Sequence, residues 1–200
     1  WVIRMGKRAK KRADIRHKKF IDYPFLDTKQ DLLDIWLFAN CELCISTLCG
    51  ADEISDVYRR PLLLINFLPL AAAKSWSNAM YVPKKLTWTK TGEELTLKEN
   101  LEHSLYYSKE YTEEGIGIED LSSEEILLSV KECWNFIRSD MKEVQGSKEL
   151  QERFWKIMTS SHTSKYYYGE IDTKRYHDWI HPQARAGMNW LRSKGKHFFQ

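Results

Sequence analysis

The sequence predicts an α/β fold built on an open parallel sheet, with helices appended after it. Two short apolar runs, at residues 43–46 and 62–65, lack the polar alternation of a half-exposed strand and read as strands covered on both faces. Between them a small-residue turn, Ser46, Thr47, Leu48, Cys49 and Gly50, opens a helical stretch that carries Ala51, Asp52, Glu53, Ile54, Val57 and Tyr58 and stops before Pro61. Strand, turn, helix and strand at this spacing form a right-handed crossover unit, of the Rossmann-like kind in which ligands gather at the strands' carboxyl ends. From residue 95 onward the apolar spacing becomes helical.

Taken in order, residues 1–5 are β-prone, end at Gly6 and predict the first strand of the sheet. Arg4 interrupts that run and needs a partner. A nucleotide diphosphate at the sheet's carboxyl edge would serve, and so would Asp22 or Asp27. The segment 7–19 crowds eight basic residues around a single acid, Asp14. It reads as a solvated loop or short helix, as a lure for an anionic donor, or as a contact with an acidic membrane face. Residues 20–23 form a second strand candidate ended by Pro24. Asp27 or Thr28 then caps a helix whose apolar stripe is Leu32, Leu33, Ile35, Trp36 and Leu37.

After the strand at 62–65, Asn66 stands at a strand end where it would face a base or sugar, or simply make a local turn. A polar loop at 74–78 carries Trp76, and residues 80–82 predict a further short strand ended by Pro83. Thr96 caps a helix through Leu97, Leu101 and Leu105, and Gly115 and Gly117 mark a loop. Ser122 or Ser123 begins a longer helix with Ile126, Leu127, Val130, Trp134, Ile137 and Met141 on one face. Another follows Ser147, with Leu150, Phe154, Ile157 and Met158. Tyr166, Tyr167, Tyr168, Trp179 and Trp190 suit either a carbohydrate platform or the packing of a closing helix. His162, His177 and His181 lack a metal-ligand spacing.

The chain's 200 residues are 30% charged and 42% hydrophobic, enough for one α/β domain with a substantial core. A formal charge of +3 is too small to argue for a nucleic-acid partner. No apolar run approaches the roughly twenty residues that span a bilayer. Cys41, Cys44, Cys49 and Cys133 include one C-x-x-C without the second pair that would complete a zinc site, so reduced thiols and a cytosolic compartment are expected.

The turn carries the candidate chemistry. Ser46, Thr47, Gly50 and Ala51 are small enough for a ligand to approach the main chain, where amides at a helix start face a phosphate. The Ser46 and Thr47 hydroxyls add donors, and Glu53 can accept from sugar or ribose hydroxyls. The plainer reading has Gly50 closing a tight turn and Glu53 solvated.

The stretches WVIRMG at 1–6, IDYP at 21–24, DLLDIWLFANCELCISTLCGADEI at 31–54, RRPLLLINFLP at 60–69 and YVPKKL at 81–86 resemble the carboxyl-terminal part of a family of bacterial glycosyltransferases. Those proteins are encoded in surface-polysaccharide gene clusters and are similar to GT-B enzymes. The resemblance covers about the first ninety residues. In that family the turn usually reads Thr-Ser-Gly or Thr-x-Ser-Gly, so Cys49 stands where a serine is expected.

What the resemblance implies is a GT-B carboxyl-terminal lobe. Residues 1–95 would form the nucleotide-sugar-binding core and 96–200 a helical continuation, with the acceptor lobe elsewhere in a longer protein, an expectation that the start at Trp1 in mid-strand shares. The donor site implied is Arg4, Ser46, Thr47, Cys49, Gly50, Ala51, Glu53 and Asn66. No catalytic residue is assigned. Nor is a metal or cofactor, because a helix dipole and basic side chains can neutralise the leaving diphosphate. The expected partners are a nucleotide-sugar donor, a glycan or lipid-linked acceptor and the inner face of the cell membrane, with no nucleic acid. Two alternatives stay open: a nucleotide-sugar 2-epimerase of related architecture, and a non-catalytic module docking on an anionic membrane or partner.

Overall fold

The computed structural model describes residues 1–139, 146–160 and 183–200. Met141, His162, Tyr166, Tyr167, Tyr168, His177, Trp179 and His181 lie outside the described residues.

Strands β1 (Val2–Arg4) and β2 (Phe20–Asp22) pair in parallel, with Val2 opposite Phe20. They form a separate two-stranded unit, so the expected first strand does not enter the main sheet. Local contacts explain the separation. Asp22 binds Arg4 at 3.1 Å and accepts the Ala13 amide at 2.8 Å, which ties the basic excursion back onto its own strands. Helix α1 (Asp31–Asn40) starts after Gln30 without a side-chain cap, so neither Asp27 nor Thr28 caps it. It buries Ala39 and half-buries Leu33, Leu37 and Phe38, whereas Leu32, Ile35 and Trp36 of the expected stripe face outward.

The strand, turn, helix and strand of the crossover unit are present in that order, but Ile45 in the first strand is exposed, so that strand is not covered on both faces as expected. Strand β3 (Cys44–Ser46), helix α2 (Asp52–Val57) and strand β4 (Leu62–Phe67) run in order, with Cys44 opposite Leu62 and Ser46 opposite Leu64. Strand β5 (Ala79–Pro83) lies parallel to β4 on its other side. Leu62, Leu63 and Leu64 are all buried, as a strand covered on both faces requires.

Beyond β5 the chain departs from an all-helical continuation. Strand β6 (Lys85–Trp88) pairs antiparallel with β7 (Ile116–Glu119), across helices α3 (Leu97–Glu102) and α4 (Ser108–Glu113). Gly117, expected in a loop, is a strand residue, and a Cβ there would come within 3.1 Å of the Thr87 hydroxyl. Two long helices follow, α5 (Ser123–Arg138) and α6 (Lys148–Ser160). Strand β8 (Arg185–Ala186) then adds to β5, giving a four-stranded parallel sheet in the order β3, β4, β5, β8, and helix α7 (Met188–Ser193) comes after it.

Thr96 and Ser122 cap their helices as expected, each in a reciprocal box with Glu99 or Glu125. In α5 the inward residues are Ser129 and Cys133, with Ile126, Val130 and Ile137 half-buried. Leu127 and Trp134 are exposed. In α6, Phe154, Trp155 and Met158 are buried, and Ile157 and Leu150 pack against the same core. Trp190 stacks edge-on against Phe154 and Phe198, which favours packing over a sugar platform. One core cluster joins the sheet residues Leu63, Phe67, Tyr81 and Val82 to Leu97, Leu101, Phe154, Trp155, Leu191 and Phe198. Among the described residues, no helix is long and apolar enough to cross a membrane.

Candidate functional site

At the carboxyl end of β3 the chain turns through Thr47, Leu48, Cys49, Gly50 and Ala51 into α2. Leu48 holds φ +70°, in the left-handed region that a branched side chain adopts only under constraint. Thr47, Cys49 and Gly50 are exposed, and Ser46 and Ala51 half-buried. The Ser46 hydroxyl lies 3.6 Å from the Cys49 sulfur.

Two features of this turn bear on an anion. The amide of Cys49 is already taken, since it donates to Asp52 Oδ2 at 2.8 Å, while the Asp52 amide donates back to the Cys49 carbonyl at 3.2 Å. The amides of Gly50 and Ala51 have no partner among the described residues. Gly50 also has no internal reason to be glycine: its φ is not left-handed, and a Cβ there would meet nothing within 4 Å.

Beside the turn lies a small cleft between α2, the face of β4 and β5, and the connection that joins those strands. Its polar lining is Asp52, Glu53, Asp56, Lys74 and Ser77, and its floor is Leu62, Leu64, Phe67 and Tyr81. Glu53 is half-exposed and ion-paired to Lys74, whose ammonium also lies 3.6 Å from Asp56. The Ser77 hydroxyl donates to Asp56 at 2.6 Å. The Tyr81 hydroxyl donates to the Lys74 carbonyl and accepts the Lys74 amide, both at 2.9 Å. Tyr81 therefore fixes the backbone from which the lysine reaches Glu53. Three carboxylates against one ammonium make this cleft acidic, a setting for hydroxyls and amines rather than for a second anion.

Of the residues expected to act together, Ser46, Thr47, Cys49, Gly50, Ala51 and Glu53 are neighbours on the β3–α2 turn and its first helical turn. Arg4 is not with them. It sits in the β1–β2 unit, bound to Asp22 and to the Lys11 carbonyl at 2.9 Å, the aspartate partner that its sequence context offered. Asn66 has φ +50° at the register shift in β4, and its Oδ1 accepts the Leu121 amide at 2.7 Å, so its side chain anchors the approach to α5. Lys74, Asp52, Asp56, Ser77 and Tyr81 are additional site residues. The polar character of 74–78 was the only sequence signal for any of them.

Among the described residues, no group of three or more His, Cys, Asp or Glu side chains has a metal-binding arrangement. All four cysteines are free thiols. Burial raises the Cys44 and Cys133 thiols to about 12, so neither ionises near neutral pH and both behave as core residues. A scan against protein-family models and searches of curated proteins and of solved structures found no significant match.

Proposed function

We propose that this chain is the donor-binding half of a GT-B-like glycosyltransferase, which passes a sugar from a nucleotide-sugar donor to a polysaccharide or lipid-linked glycan acceptor. The observation that carries this reading is the pair of amides at Gly50 and Ala51 that have no partner among the described residues, on a turn at the carboxyl end of a parallel strand, with open space in front of Gly50. Main-chain amides without a partner suit phosphate oxygens, and a residue without a side chain lets them come close. The sequence resemblance, which includes this turn, supplies the choice of donor.

Division of labour within the site follows from its charge. The diphosphate belongs at the turn, beside Ser46 and Thr47, and the sugar hydroxyls belong at the acidic cleft. There Glu53 and Lys74 form a half-exposed ion pair. Such pairs are held by about 1 kcal/mol or less, so a diol can displace the lysine from the carboxylate at small cost. The ammonium, still beside Asp56, then has one carboxylate fewer and can turn toward the diphosphate's negative charge. The acceptor and the catalytic base belong to another part of the enzyme.

The test is ligand-induced thermal stabilisation of the purified chain across a panel of nucleotide sugars, beside nucleotide release in the presence of a bacterial lipid-linked glycan extract. A rise in Tm without acceptor-dependent release is expected, because donor contacts alone hold no acceptor in reacting geometry. No stabilisation by any donor would defeat the donor reading, and acceptor-dependent release would defeat the assignment of catalysis elsewhere.

A further inference from the structure

The basic excursion between β1 and β2 is neither a free tail nor part of the cleft. Residues 7–19 hold eight basic residues and one acid, a net +7, so the rest of the chain, which totals +3, carries −4. The chain's net positive charge therefore resides in this one segment. The excursion is also held in shape. Its ends are joined by the parallel β1–β2 pair and by the Val2 amide donating to the Lys19 carbonyl at 2.8 Å. Its middle is tied by Arg4 to the Lys11 carbonyl, by the Ala13 amide to Asp22, and by Arg12, which donates to the Phe25 carbonyl and stacks over the Phe25 ring at 5.0 Å. Lys7 pairs with Asp31, both largely in solvent.

Six cations remain, Arg8, Lys10, Lys11, Arg16, Lys18 and Lys19. All are exposed, and none has an acidic partner among the described residues. Ile15, 55% exposed, stands among them.

We infer that this excursion is a docking surface for an anionic lipid bilayer. A planar negative surface attracts this +7 segment. Cations close to such a surface contribute about 1 kcal/mol each, and an apolar tip such as Ile15 adds contact with the headgroup boundary. A single-stranded nucleic acid is the poorer match, because residues 7–19 contain no Phe, Tyr or Trp and offer only the His17 ring for a base to stack on. The inference is independent of donor binding.

The experiment is co-sedimentation of the chain with vesicles of phosphatidylcholine alone and of equal parts phosphatidylcholine and phosphatidylglycerol, at low and high salt. Binding is expected to the anionic vesicles only, and to be lost as salt shortens the screening length from about 10 Å at 0.1 M toward about 3 Å at 1 M. The variant K18S/K19S should partition about 25-fold less, at about fivefold per cation, with its thermal unfolding and its response to nucleotide sugars unchanged. Should that variant fail to fold, K10S/K11S serves the same purpose. Equal sedimentation with both vesicle types, wild-type binding by a folded double variant, or retention of single-stranded RNA without anionic-vesicle binding would each overturn the proposal.

Discussion

Gly50 and Asp52, two residues apart, separate what the turn does for the fold from what it does for a ligand. With no atom within 4 Å of a Cβ at position 50 and no left-handed φ, Gly50→Val should leave stability within about 0.5 kcal/mol, as surface changes usually do. If the open space is where a diphosphate lies, the same change should weaken donor affinity at least tenfold in calorimetry. Full affinity in the folded variant would remove Gly50 from the site. Asp52 behaves oppositely. It is buried, and its carboxylate closes the turn on the Cys49 amide, so Asp52→Ala should cost about 1–2 kcal/mol in urea unfolding whether or not donor is present. Glu53→Gln breaks a half-exposed pair and should change stability by less than about 1 kcal/mol. It should nonetheless lower affinity for a nucleotide sugar more than for the free nucleotide, because only the former brings sugar hydroxyls to the cleft. Equal losses for both ligands would show that Glu53 does not read the sugar.

At the level of elements, α5 and β8 show how much could be read in advance and why the rest could not. The start of α5 was legible because the signal is local: Ser122 caps the Glu125 amide at 3.2 Å, and the Glu125 carboxylate returns to the Ser122 amide at 2.7 Å. Hydrogen bonds from the Ser122 side chain and backbone hold the Glu125 carboxyl below its ordinary 4.5. A depressed folded value means that the carboxylate's stabilisation is present above the unfolded pKa and is lost as pH falls through the folded one. Ser122→Ala should therefore lower stability by about 1 kcal/mol near neutral pH, and by less once the medium is acid enough to protonate Glu125. A cost that stays constant down to that acid range would contradict the box. Strand β8 gives no such signal, being two residues, one of them arginine. It is held by register with β5 and by Gln151 of α6, whose amide donates to the Ala186 carbonyl at 2.7 Å and accepts the Ala186 amide at 3.0 Å. A side chain here does what a neighbouring strand would do, and that pairing spans 35 residues. Gln151→Leu should thus cost about 2 kcal/mol or more by stranding both groups of Ala186. The same distinction governs the site. Its turn is a run of adjacent small residues and could be read, whereas Lys74 reaches Glu53 across 21 residues of sequence. The positive φ of Leu48 leaves no trace in composition.

For the whole molecule, the question is whether the sheet and the segment after it are separable. Leu63, Phe67, Tyr81 and Val82 are each no more than 1% exposed, and what covers them comes from far along the chain. Tyr81 meets Trp155 edge-on at 6.5 Å, Phe154 and Leu191 complete the same cluster, and the Leu121 amide is held by Asn66. Each of those large side chains contributes about 1.5–3 kcal/mol by leaving water, so removing the later segment would forfeit an amount comparable to the roughly 5–15 kcal/mol by which a domain is stable. Residues 1–95 expressed alone should consequently lack cooperative unfolding and the dispersed amide spectrum of a packed core. The full chain should unfold in a single urea transition, with tryptophan fluorescence and far-ultraviolet circular dichroism coinciding, since most of its tryptophans lie after the sheet strand β5 and most of the parallel sheet lies at or before it. Two transitions, or a folded 1–95 fragment, would mean that the first ninety-five residues form a domain of their own and that the later helices merely dock on it.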